Sequence, residues 1–119
     1  MPRFVVLEHD WPMPHWDFLL EAGDVLRAWR LLAGPAAGVD IPAEPNFPHR
    51  LLYLDYEGPL SGDRGSVRQW DAGTFAWVED AAERVVVELR GAKLVGRAEL
   101  CGTDGRWTFR LAVTPSPAP

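Results

Sequence analysis

Arg84-Val85-Val86-Val87-Glu88-Leu89-Arg90 runs into Gly91-Ala92, and Lys93-Leu94-Val95-Gly96-Arg97-Ala98-Glu99-Leu100-Cys101 runs into Gly102-Thr103-Asp104-Gly105. Three consecutive valines favour pleated backbone, because a β-branched side chain loses rotamer freedom in a helix and packs well on a sheet. The glycine-bearing breaks have turn composition, and 107–113 supplies one more apolar run. This stretch is therefore read as successive hairpins.

The pattern extends upstream. Residues 67–71 and 74–78 are expected strands around a turn at Asp71-Ala72-Gly73. Phe4-Val5-Val6-Leu7 is a further strand. The two prolines in Asp10-Trp11-Pro12-Met13-Pro14 make it a loop. Residues 15–21 and 25–32 form a hairpin across Gly23-Asp24. Residues 34–48 carry Pro35, Gly38, Pro42, Pro45 and Pro48 and are expected to be an irregular connection, with 51–56 another apolar run. No helical stripe exceeds about two turns. Short strands with frequent turns and no covering helix predict an all-β fold, a closed or nearly closed antiparallel β-barrel with long loops and little helix. One domain is expected over 3–113, followed by a disordered proline-rich tail at 114–119.

Composition narrows the function classes. The chain has 119 residues, 11 glycines, 11 prolines, six tryptophans and a formal net charge of −5. An acidic balance argues against generic coating of nucleic acid, which needs clustered Lys and Arg. It leaves open an enzyme that grips one strand end through a metal. Cys101 is the only cysteine, so neither an intrachain disulfide nor a cysteine zinc clip forms. The N-terminus lacks the features of a signal peptide, no run reaches membrane-spanning length, and the expected compartment is the cytoplasm.

The three histidines all stand in polar company. His15 and Asp17 are two apart in an apolar run, so on a strand both point to one face. His9, after Glu8, can supply a third ligand. Two imidazoles and a carboxylate suit Mn²⁺, Zn²⁺ or Fe²⁺ and leave positions open for water and substrate. His49 and Tyr53, four apart, share a face if they lie on a strand, and can donate hydrogen bonds to a phosphoryl oxygen. Plainer readings are available for each: a hydrogen-bonded surface histidine, turn acids, a buried tyrosine with one partner.

In order and spacing, the chain resembles the 3′-phosphoesterase domain of bacterial DNA ligase D. The resemblance is carried by Glu8-His9, by His15-Trp16-Asp17-Phe18-Leu19-Leu20-Glu21, by Gly34-Pro35, and by His49 through Gly58. Val67-Arg68-Gln69-Trp70-Asp71-Ala72-Gly73-Thr74 and Gly91-Ala92-Lys93-Leu94-Val95-Gly96 continue it. It runs collinearly from about Phe4 to about Leu111. It implies a β-barrel that uses Mn²⁺, or another divalent ion such as Zn²⁺, to remove a 3′-phosphate or 3′-ribonucleotide. The implied substrate is the 3′ end of a DNA or RNA primer strand, and the implied partners are DNA ligase or other end-joining proteins, with no membrane. By the same resemblance His9, His15 and Asp17 hold the metal, and His49 and Tyr53 are catalytic residues at the scissile phosphate.

The chain also departs from the family pattern. An arginine two residues past the aspartate is Leu19 here, a glutamine before Glu-His is Leu7, and a lysine before Gly-Pro is Ala33. The family's arginine before His49 has no counterpart, and the loop after Gly58 is shorter. The cationic phosphate clamp is thus depleted, with Arg27, Arg30, Arg50, Arg64 and Arg68 as substitutes; alternation disfavours Arg50 by pointing it away from His49. Three readings follow: a metal-dependent phosphoesterase; a catalytically weak or inactive metal-binding barrel that serves as a DNA-repair interaction module; and a barrel whose histidines are structural only.

Overall fold

A computed structural model describes residues 1–103 and 105–112. The strands, in chain order, are β1 (Arg3–His9), β2 (His15–Ala22), β3 (Val25–Leu31), β4 (Ile41–Arg50), β5 (Gly58–Pro59), β6 (Ser66–Ala81), β7 (Arg84–Gly91), β8 (Val95–Thr103) and β9 (Arg106–Ala112). A 3₁₀ turn, Leu51–Leu54, follows β4. Neighbouring strands run antiparallel in the order β1-β2-β3-β4-β9-β8-β7-β6, and β6 returns to pair with β1. The sheet closes on itself, as the turn-rich sequence led us to expect, and β5 is an appendage on β6. The proposed tail at 114–119 lies outside the described residues, as does Asp104 of the expected turn at 102–105.

Period-two alternation fills the interior. Phe4 and Val6, Phe18 and Leu20, Trp29 and Leu31, Phe75, Val85, Val87, Leu100 and Phe109 form one buried cluster. The opposite faces of β1, β2 and β3 are also apolar. Val5, Leu7, Leu19, Leu26 and Ala28 bury against Leu54 and Val67, with Leu51, Tyr53, Tyr56 and Leu60 packed over them. The connection between β4 and β6 therefore covers the outer face of the first three strands. That outer layer is where the site is built.

Three expectations need correction. The turn expected at Asp71-Ala72-Gly73 does not exist; β6 is one strand of 16 residues. Its first half pairs with β1 and its second with β7, and register shifts at Val6/Leu7 and Trp77/Glu79 let it bend between the two. Asp71 is buried and accepts the N–H groups of Ala92, Lys93 and Leu94 at 2.9, 3.1 and 2.8 Å. A Cβ on Gly73 would lie 2.0 Å from the Arg90 carbonyl oxygen, so glycine there serves a close strand approach and not a turn.

Second, 41–50 is a strand despite Pro42, Pro45 and Pro48. Beyond Ala43 only β3 pairs with it, since β9 meets β4 at Ile41 to Ala43 alone, so one edge there needs no ladder donors. Pro48 falls in a bulge, where Leu26 and Ala28 oppose His49 and Asn46. Third, residues 51–54 form a 3₁₀ turn, so His49 and Tyr53 do not share a strand.

Candidate metal and phosphate site

His9 ends β1 and His15 begins β2, and the two are directly paired across the hairpin. Asp17 follows His15 on the same face. One ligand atom from each of His9, His15 and Asp17 lies within 4.8 Å of the others. The two rings are 4.6 Å apart, and Asp17 is only 6 % exposed. The trio belongs to the outer layer, at the strand ends.

The hydrogen bonds determine what these rings can do. Nδ1 of His15 lies 2.9 Å from the Met13 carbonyl oxygen, and Nε2 of His9 lies 2.9 Å from that of Arg64. A carbonyl only accepts, so these nitrogens carry the hydrogens. In neutral rings the remaining nitrogens bear lone pairs, and both face Asp17: His15 Nε2 at 3.0 Å from Oδ1 and His9 Nδ1 at 3.1 Å from Oδ2. Lone pairs facing carboxylate oxygens repel. A shared cation removes the repulsion, and so does protonation of the rings. The donor set, one carboxylate and two imidazoles oriented by main-chain carbonyls, fits a divalent transition ion. Burial pushes the Asp17 carboxyl up, but when the rings are protonated the His15 hydrogen bond and the charges of His15, His9 and His49 outweigh it and hold the group below the usual carboxylate range.

His49 and Tyr53 complete the arrangement from the covering segment. Their rings meet edge to face at 5.8 Å. His49 donates from Nδ1 to the Phe47 carbonyl at 2.9 Å, which leaves Nε2 as its second, working nitrogen. The bulge in β4 sets this orientation, a use to which bulges near functional sites are often put. A cavity of about 450 Å³ is lined by His9, Asp17, His49 and Tyr53 together with Arg30 and Trp11. His15 stands behind Asp17 and reaches a neighbouring hollow beside Asp10 and Arg68.

The sequence that builds this site matches a known family. Its sequence profile, the DNA Ligase D 3′-phosphoesterase domain, covers residues 7–101. The chain belongs to the DNA ligase D 3′-phosphoesterase domain family. It is 35 % identical over 114 residues to the multifunctional non-homologous end joining DNA repair protein LigD of Mycobacterium tuberculosis, covering 87 % of this chain and 15 % of the relative. It is 32 % identical to the multifunctional non-homologous end joining protein LigD of Pseudomonas aeruginosa, with 87 % and 14 % covered. The chain thus spans about one seventh of the length of these relatives.

Within this phosphoesterase-domain fold, the departures seen in the sequence have structural counterparts. Leu19 and Leu7 are buried in the outer apolar layer. Of the candidate arginines, Arg27 is paired with Asp80 and stacked over Trp29 and Trp77, away from the cavity. Arg68 is paired with Glu8, and Arg64 donates to Ser61 while its carbonyl holds His9. Arg30 lines the cavity with Arg64, and so does Arg50, which strand alternation had set aside; β4 ends at that residue.

Two features escaped the sequence reading. The carbonyls of Met13 and Arg64 orient the histidines, and no side-chain pattern can encode a main-chain contact across 55 residues. Phe47, 70 % exposed, stands at the cavity wall beside the exposed Trp11 and is stacked on His49 at 5.4 Å. Their position depends on loop packing. A Cβ on Gly65, whose φ is +74°, would lie 2.2 Å from Asp10 Oδ1 and 2.6 Å from Trp11 Cβ. Asp10 in turn accepts the Ser66 N–H at 2.8 Å, which locks the 10–12 loop in place. Among the described residues no helix is long and apolar enough to cross a membrane.

Proposed function

We propose that this domain is a divalent-metal-dependent phosphoesterase, with Mn²⁺ the expected ion, that removes a 3′-phosphate or 3′-ribonucleotide from nucleic-acid ends. It would work beside DNA ligase or other end-joining proteins. The observation that carries the reading is the convergence of His9 Nδ1, His15 Nε2 and the Asp17 carboxylate, each ring nitrogen opposite a carbonyl-bound partner. Family membership supports the substrate class.

A divalent ion on these three ligands would polarise a phosphoryl oxygen and lower the pKa of a bound water. The chain's own groups do the rest. His49, held by the Phe47 carbonyl, exchanges a proton with the phosphate or the leaving oxygen through Nε2. The Tyr53 hydroxyl donates to charge developing on the transferring group. Trp11 and Phe47 offer exposed ring faces on which a terminal base can stack, since every base has a π-face.

The test is release of phosphate from a primer-template ending in a 3′-phosphate, with Mn²⁺ and the purified protein. Turnover abolished by His15→Ala is expected. A wild-type protein that releases nothing, and for which His15→Ala changes no phosphoester activity, would remove the enzymatic reading. The full burial of Leu19, where the family carries an arginine, favours a second reading: a metal-binding interaction module of DNA repair. It predicts Mn²⁺ uptake and capture of repair partners with no hydrolysis.

A further inference from the structure

We infer that Arg30, on β3 opposite Asp17, is the substrate-phosphate clamp of this protein. The inference deepens the phosphoesterase reading and rests on it for the chemistry.

The register carries the argument. Asp17 pairs directly with Arg30, and Leu19 pairs with Ala28 two residues away on the same strand. Directly opposed residues share a sheet face, with Cβ atoms about 5 Å apart, and residues two apart along one strand share it at about 7 Å. Arg30 and position 19 thus flank Asp17 on one face at similar reach, one across the strand and one along it. At position 19 the side chain is sunk in the apolar layer with Val5, Leu7, Leu26 and Ala28, where a guanidinium would be desolvated without a partner. At position 30 it is half-buried and lines the cavity that holds His9, Asp17, His49 and Tyr53. A phosphate brought to His49 and Tyr53 therefore meets this cation.

The remaining charges agree. The cross-strand partners of Arg30 are Asp17 and the exposed Glu44, and among the described residues it forms an ion pair with neither. Arg27 and Arg68 are paired with Asp80 and Glu8, and Arg64, which also lines the cavity, directs its Nε and one terminal nitrogen to Ser61. Arg50 lines the mouth of the cavity but lies exposed at the strand end, paired with Val25 and not with Asp17. A planar fork can hold two phosphate oxygens at once, a geometry that lysine cannot reproduce.

The experiment compares wild type, Arg30→Gln and Arg30→Lys in three readouts: Mn²⁺ affinity by calorimetry, binding of oligonucleotides ending in a 3′-phosphate or a 3′-hydroxyl, and phosphate release. Arg30→Gln should keep wild-type Mn²⁺ affinity and 3′-hydroxyl binding. It should lose the preference for the 3′-phosphate end and about 10²-fold in kcat/KM, with partial rescue by lysine. An active wild type whose Arg30→Gln variant turns over within about twofold overturns the inference and leaves the phosphoesterase reading standing. If wild type binds no Mn²⁺ and releases no phosphate, that reading falls, and end-binding decides for Arg30. A 3′-phosphate preference that vanishes in Arg30→Gln then supports the clamp, and no preference in wild type overturns it.

Discussion

His15 Nε2 lies 3.0 Å from Asp17 Oδ1, while the opposite nitrogen of the same ring is held by the Met13 carbonyl. The imidazole is thereby fixed in rotation and in tautomer, with its basic lone pair directed at an acid two residues along the strand. His9 repeats the relationship from β1. Preorganisation of this kind would let an ion bind with little reorganisation of the side chains.

Metal binding should therefore stabilise the fold. A ligand at about 100 times its Kd that binds only the folded state adds about 2.7 kcal/mol, or roughly 10 °C in Tm for a domain of this size. Thermal melts with and without Mn²⁺ should show this rise in wild type and none in Asp17→Ala or His9→Ala. No shift in wild type at millimolar Mn²⁺ would argue that the histidines are only structural.

His49 and Phe47 stack on one another but should fail differently. His49→Ala is expected to lower kcat by about 10²–10⁴-fold with Mn²⁺ binding unchanged. Phe47→Ala, at a site 70 % exposed, should leave Tm unchanged and weaken oligonucleotide affinity by about 5- to 100-fold, the usual range for one stacked base. Steady-state kinetics separate the two, and equal effects on kcat would contradict the assignment.

Asp71 is a structural residue despite its burial and its place in a resemblance motif. It closes the β7–β8 connection by accepting three main-chain N–H groups. Asp71→Ala should cost about 3 kcal/mol or more, because those donors lose their partner, and Asp71→Asn should cost less because one acceptor oxygen remains. Urea unfolding measures both. A loss under about 1 kcal/mol for the alanine variant would show that water replaces the carboxylate.

The Arg3–Asp55 pair ties β1 to the residue after the 3₁₀ turn, with Arg3 Nη2 2.6 Å from Asp55 Oδ1. Its hydrogen bond is the main cause that holds the Asp55 carboxyl below its ordinary 3.8, against the smaller opposing effect of desolvation. A carboxyl whose pKa is lower in the folded state contributes stability above 3.8 and loses it as pH falls through the folded value. The Tm difference between wild type and Asp55→Ala should be present at pH 7 and close below pH 3.8. A difference that persists at pH 2 would show that the contact acts through packing.

The sequence alone determined the all-β class, the hairpins at 15–32 and 84–112, the position of most strands and the placing of His15 and Asp17 on one face. Period-two alternation and the offset between His15 and Asp17 are local quantities, and local quantities can be read along a chain. Tertiary structure decided what depends on contacts between distant segments. The β6 strand runs unbroken through Asp71-Ala72-Gly73 because β1 and β7 hold its two halves. The proline-bearing β4 survives because one of its edges carries no ladder. His49 meets Tyr53 through a bulge and a 3₁₀ turn, and Arg30 faces the cavity because the register with Asp17 puts it there. Cross-strand register is a relation between two segments, and neither segment records it by itself.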